Sequence, residues 1–118
     1  MITIENISGK TIHYKVSDML GESDFETLSA KVEEVLKKHD GVRLLADGSE
    51  FTGWDSFHAM QKHYNFIQEY QARVERIAFI AVQFWQHWMV GAASLFYHPQ
   101  VRVFPSDHVR DAEEWLKS

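Results

Sequence analysis

Between Arg76 and Arg102 the stretch "RIAFIAVQFWQHWMVGAASLFYHPQVR" carries no charged side chain, although 25% of the residues overall are Asp, Glu, Lys or Arg. A run of this kind spans a membrane, fills a core, or forms a surface that meets something apolar. A spanning helix needs about 20 mostly apolar residues and tolerates polar groups least at its centre. Ile77 to Tyr97 approaches that length but places Gln83, Gln86 and His87 in the middle. Two shorter elements account for the same residues better. "IAFIAV" lacks alternation and reads as a strand covered on both faces of a parallel sheet, ending near Val82. A helix then runs from Phe84 to Tyr97 and is stopped by Pro99.

The remainder of the chain fits that reading. "ITIE" and "TIHYKVS" alternate apolar and polar residues around "NISGK" and are expected to pair as antiparallel strands. "SDFE" offers a capping box from Ser23 to Glu26, after which Phe25, Leu28, Val32, Val35 and Leu36 keep helical spacing. The pairs Glu33 with Lys37 and Glu34 with Lys38 are placed to support its exposed face, and Gly41 to stop it. "VRLLA" reads as a short strand ending at Asp47, and "DGSEFTG" as a turn-rich loop. Asp55 is placed to cap a second helix with Phe57, Met60, Tyr64 and Ile67 inward. "VRVF" is a last strand, followed by a closing helix with Val109, Ala112 and Leu116 inward. The expected order is ββαβαβαβα, an α/β fold with a mixed, largely parallel central sheet flanked by helices. At 118 residues the chain has the size of one domain, residues 1–118, with one core.

Composition narrows the function. The net charge of -5, with lysines and arginines scattered, excludes the clustered basic face that a nucleic acid requires. The absence of cysteine removes thiolate chemistry and disulfides. "MITIENISGK" has no basic leader followed by an apolar run, so a cytoplasmic protein without a transmembrane segment is expected. His58 and His63, five apart, and His87 and His98, eleven apart, lack the i,i+4 spacing of a helical zinc pair, and neither metal nor cofactor is expected. Ser49 and Ser56 lie outside any G-x-S-x-G elbow, so a small hydrolase is the outsider and no catalytic residue is assigned.

"MITIE", "VRLL", "FTGWD", "ERIAF", the pair Trp85 and Trp88, "VRVF" and "AEEWL", in that order, resemble the SpoIIAA-like proteins of the STAS and Sec14 superfamily. The resemblance spans essentially the whole chain. It implies a sheet and helices built like the bacterial anti-sigma-factor antagonists, no settled enzymatic activity, and, through Sec14 relatives, apolar lipid-like ligands. In the antagonists a serine following an aspartate at a helix start is phosphorylated and switches partner binding. The matching positions are Asp55 and Ser56, so a regulatory protein switched at Ser56 is the alternative function. Phe57 and His58 follow here where the antagonist motif continues with Ser-Gly.

On a wheel of 100° per residue, Phe84, Trp85, Trp88, Met89 and Phe96 fall on an apolar arc of roughly 200°, about twice what docking on a sheet requires. The surplus marks a surface for an apolar ligand or a protein partner, a second copy of the chain included. Peripheral membrane contact is disfavoured because the polar wedge carries no Lys or Arg. The leading reading is a non-catalytic binding module that uses helix 84–97 and the loop 51–55. Trp54, Phe84, Trp85, Trp88, Met89 and Phe96 form its surface.

Overall fold

The computed structural model describes residues 1–70, 72–81 and 100–118, without the side chains of residues 51–53, 81 and 100. The elements are β1 (Ile2–Ser8), β2 (Thr11–Leu20), α1 (Glu22–Leu36), β3 (Val42–Trp54), α2 (Phe57–Tyr70), β4 (Val74–Ala81), β5 (Gln100–Pro105) and α3 (Val109–Lys117). The expected helix from Phe84 to Tyr97 lies outside the described residues.

The five strands stand in chain order, β1-β2-β3-β4-β5. β1 runs antiparallel to β2 through the turn at Gly9, whose φ of 59° suits a residue without a Cβ, and the other neighbours are parallel. Crossovers that step in one direction with one hand place their helices on one face. α1 and α2 accordingly pack together over a core containing Ile12, Tyr14, Val16, Leu44, Ala46, Phe25, Leu28, Val32 and Phe66. Since strand side chains alternate, Leu45, Ala78, Ile80 and Phe104 face the other way and are covered by Ala112 and Leu116 of α3.

β3 is far longer than the expected strand. It continues through the supposed loop because β2 itself reaches Leu20 and supplies a pairing edge, matching Ser17 with Glu50 and Leu20 with Trp54. The turn chemistry appears instead as a bulge. Asp47 Oδ1 accepts both the N–H of Ser49, at 3.1 Å, and its hydroxyl, at 2.7 Å, where the register with β2 shifts. Gly48 is required there, since an added Cβ would lie 2.5 Å from the Phe79 ring.

Three local expectations are corrected by the same hydrogen-bond accounting. α1 starts two residues before "DFE": the Asp24 carboxylate reaches back to the Gly21 N–H at 2.8 Å and also accepts the Ile2 N–H at 3.0 Å, so Ser23 is not the cap. Glu26 bonds Lys62 of α2 at 3.1 Å rather than closing a box. Glu33 turns to the Tyr70 hydroxyl at 2.8 Å and Glu34 to Lys31 at 3.3 Å, so neither makes its expected i,i+4 pair. Gly41 is buried at the entry of β3 beneath Glu75, four residues beyond the cap at Lys37.

Candidate functional site

The parallel strands β2 and β3 end side by side, with the Asp55 N–H donating to the Leu20 carbonyl at 2.9 Å. α1 and α2 both begin at that end, so their unpaired N–H groups and dipoles point to it. Ser56 caps α2: its Oγ accepts the Ala59 N–H at 3.0 Å and its carbonyl accepts the Met60 N–H at 3.2 Å. The expected cap at Asp55 is therefore displaced by one residue, because the cap must reach the third helical N–H and Phe57 opens the helix. Asp55 instead lies against α1, where its Oδ2 is 2.9 Å from the position a Cβ on Gly21 would take.

The face that α2 buries differs from the expected one. Ala59, Phe66 and Tyr70 are buried, and His63 shares their side of the helix. Phe57, Met60 and Tyr64, three of the four residues expected inward, are 70%, 40% and 59% exposed, while Ile67 is partly buried against the core. Both sets keep helical spacing. Pattern alone could not choose between them, because the winning set contains a histidine and an alanine, which score weakly as apolar.

His63 is half-buried on the inward side of α2, and its ring is engaged with two aromatic neighbours. Its ring stacks on Phe25 at 4.9 Å and lies 5.9 Å from the Trp54 ring, and its Nδ1 accepts the Trp54 Nε1–H at 3.2 Å. Burial pushes its pKa down to about 4. An Nδ1 that accepts leaves the ring proton on Nε2, so at neutral pH His63 is a neutral packing group. Trp54, expected on the binding surface, is partly buried against the core and anchors the end of β3.

Charges at this end are unevenly answered. Asp24 holds three donors, the Met1 amine at 3.5 Å among them, and these outweigh the burial that opposes its charge, so its pKa is lowered. Lys15 is held by Glu50 at 2.8 Å. Asp18, Glu22 and Asp55 are exposed and make no ion pair among the described residues. Asp18 has φ 55°, a left-handed conformation that aspartate tolerates better than most, at a shift in the β2–β3 register. Met19 beside it is 55% exposed.

Of the surface residues expected from sequence, Trp54 and Ser56 are thus placed at one end of the sheet. Phe84, Trp85, Trp88, Met89 and Phe96 lie outside the described residues. Among the described residues no group of three or more His, Asp or Glu could hold a metal ion, and no helix is long and apolar enough to cross a membrane.

The SpoIIAA-like family model matches residues 11–117. The chain belongs to the SpoIIAA-like family. A solved SpoIIAA-like protein of Shewanella loihica PV-4, an uncharacterized member of the DUF3478 family, is 25% identical with a TM-score of 0.78, over 98% of this chain and 92% of that one. The anti-sigma factor antagonist SpoIIAA in its unphosphorylated form superposes with a TM-score of 0.62 at 11% identity, over 97% and 98% of the two chains, and shows the shared fold. No curated protein matches the chain in sequence. The SpoIIAA-like fold agrees with the element order expected from the sequence for all described elements.

Proposed function

We propose that this SpoIIAA-like chain, as one domain over residues 1–118, is a non-catalytic binding module that engages a protein partner through the outward face of α2. The observation that carries this reading is the exposure of Phe57, Met60 and Tyr64 on successive turns of one helix face. A helix already docked through its opposite face gains nothing for its own fold from such a stripe, and contiguous exposed apolar surface marks contact sites. Chemistry at this end points the same way: the histidine is committed to Trp54 and the serine to capping α2. The loop 51–55, the helix 84–97 and an apolar ligand remain part of the wider proposal, as does a cytoplasmic setting.

A stable complex, with a second copy or with another protein, needs more surface than this stripe alone. Covering three such side chains removes roughly 400 Å² from water, against about 800 Å² per partner in a stable complex. The test is affinity capture from the native cell with wild-type and Tyr64→Lys protein as baits, with Ile7→Lys, at the exposed edge strand β1, as a surface control. A protein retained by wild type and control but lost by Tyr64→Lys supports the reading. Equal retention by all three removes α2 from it.

A second reading, a switch by phosphorylation of Ser56, is favoured by one observation: the serine is exposed at a helix N-terminus, where a phosphate meets free N–H groups. The unanswered carboxylates of Asp55 and Glu22 oppose a second negative group there. Stoichiometric phosphate on Ser56 in protein isolated from its native cell would establish the switch, and its absence under all growth conditions would remove it.

A further inference from the structure

We infer that the partner of this surface is a basic polypeptide segment, one whose lysines or arginines flank apolar anchors. The inference rests on the reading of α2 as a docking face and adds the partner's charge to it. The stripe of Phe57, Met60 and Tyr64 begins at the end of the sheet where β2 and β3 stop, and Met19, near the end of β2, is exposed at the same end. Asp18 adjoins Met19 in the chain, Glu22 opens α1, and Asp55 lies two residues before Phe57 against Gly21. All three carboxylates are exposed and none is in an ion pair among the described residues, whereas the cations nearby are taken: Lys15 by Glu50, Lys62 by Glu26 and the Met1 amine by Asp24.

A surface of that composition selects by sign. Nucleic acid and anionic membrane are repelled, and an acidic or neutral peptide gains only the apolar contacts. A basic segment gains both, with Lys or Arg stems lying along the apolar stripe while their heads reach the carboxylates. The helix N-termini at this end carry partial positive charge, but capping uses part of it at α2 and Asp24 answers part of it at α1. The three free carboxylates therefore set the sign.

The probe is a random dodecapeptide display library panned on the full chain, with the enriched peptides synthesised and titrated against three proteins. These are wild type, the triple variant Asp18→Asn, Glu22→Gln, Asp55→Asn, and Tyr64→Lys. The expected result is a pool enriched in Lys and Arg beside apolar residues, whose affinity falls about tenfold in the triple variant and weakens in wild type as salt is raised. Binding should be lost in Tyr64→Lys. Neutral or acidic peptides that bind wild type and the triple variant equally, yet fail on Tyr64→Lys, would overturn the basic partner and leave the docking face standing. Peptides indifferent to Tyr64→Lys would overturn both. Circular dichroism of each variant separates a lost surface from a lost fold.

Discussion

The two ends of the parallel strands are both rich in charge, but they use it differently. At the end where the strands begin, a cluster of charges is answered from within, although Lys37, Lys38, Asp40 and Arg73 there make no ion pair among the described residues. Arg43 bonds Glu75 at 2.9 Å and the Leu116 carbonyl, Lys10 bonds Glu75 at 2.8 Å, and Arg76 donates to the Trp115 carbonyl at 2.6 Å and the Ser118 hydroxyl at 2.7 Å. Arg76 also lies over the Trp115 ring at 5.2 Å. Two arginines thus cap the free carbonyls at the C-terminus of α3 and pin that helix to its face of the sheet. At the end where the strands stop, Asp18, Glu22 and Asp55 make no ion pair among the described residues, and Met19 and Phe57 are exposed there. Charge consumed internally holds the fold, while charge left over beside apolar surface is available to something else. On the reading proposed above, the first end serves structure and the second recognition.

Among the ionisable and capping groups, the largest expected effect is that of pH. His63 is neutral in the fold with a pKa of about 4, against about 6.5 when unfolded, so protonation favours the unfolded chain. Its contribution is fully present above about pH 6.5 and is lost as the pH falls toward 4, at most about 3 kcal/mol. Asp24, whose pKa is lowered, loses its contribution only below the ordinary carboxylate range. Denaturant unfolding between pH 7 and 4 should therefore show a decline that His63→Phe removes and Asp24→Asn does not. A wild-type stability flat over that range would break the assignment of His63 to the interior.

Next in size is Arg43→Ala, which leaves Glu75 and the Leu116 carbonyl without their shared donor at a half-buried site. About 2 kcal/mol should be lost, seen as a fall in Tm of about 10 °C. Glu75, whose pKa is lowered by Lys10 and then Arg43, should titrate closer to its ordinary value in that variant, as carboxyl chemical shifts would report.

Ser56→Ala removes the bond to the Ala59 N–H and should cost about 1 kcal/mol, whereas Ser56→Asp keeps a cap and should cost less than half of that. Thermal melts of the pair decide it. Equal losses would mean that Ser56 is not the cap.

The sequence disclosed the fold better than it disclosed this asymmetry. Strand alternation in "TIHYKVS", the continuous apolar run in β4 and the spacing of Phe25, Leu28, Val32 and Val35 each reflect burial by a neighbouring element, and burial leaves a pattern in composition. The extension of β3 through "DGSEFTG" left none, because it depends on β2 reaching Leu20 alongside it. The orientation of α2 was hidden for a related reason. Two stripes of that helix have helical spacing, and the choice between them is made by Phe25 and Trp54, which accept His63 between them. Trp54 could be singled out from "GWD" as an aromatic residue beside a turn, and Ser56 only through the resemblance to the antagonists. The unanswered carboxylates could not, since whether Asp18 has a partner is decided by tertiary contacts.

The smallest expected effect is on the recognition end. The triple variant Asp18→Asn, Glu22→Gln, Asp55→Asn relieves like charges and breaks no ion pair among the described residues, so its stability should lie within about 0.5 kcal/mol of wild type by urea unfolding. A loss comparable to that of Arg43→Ala would end the distinction between the two ends.

Which side of α2 belongs to the core is measured most directly by urea unfolding of Tyr64→Lys beside Phe66→Ala. Phe66 is 6% exposed and Tyr64 59%. Phe66→Ala should lose about 3 to 5 kcal/mol, while Tyr64→Lys should change stability by less than about 0.5 kcal/mol. A Tyr64→Lys protein as unstable as Phe66→Ala would show that the outward stripe is core after all and would contradict its role as a docking surface.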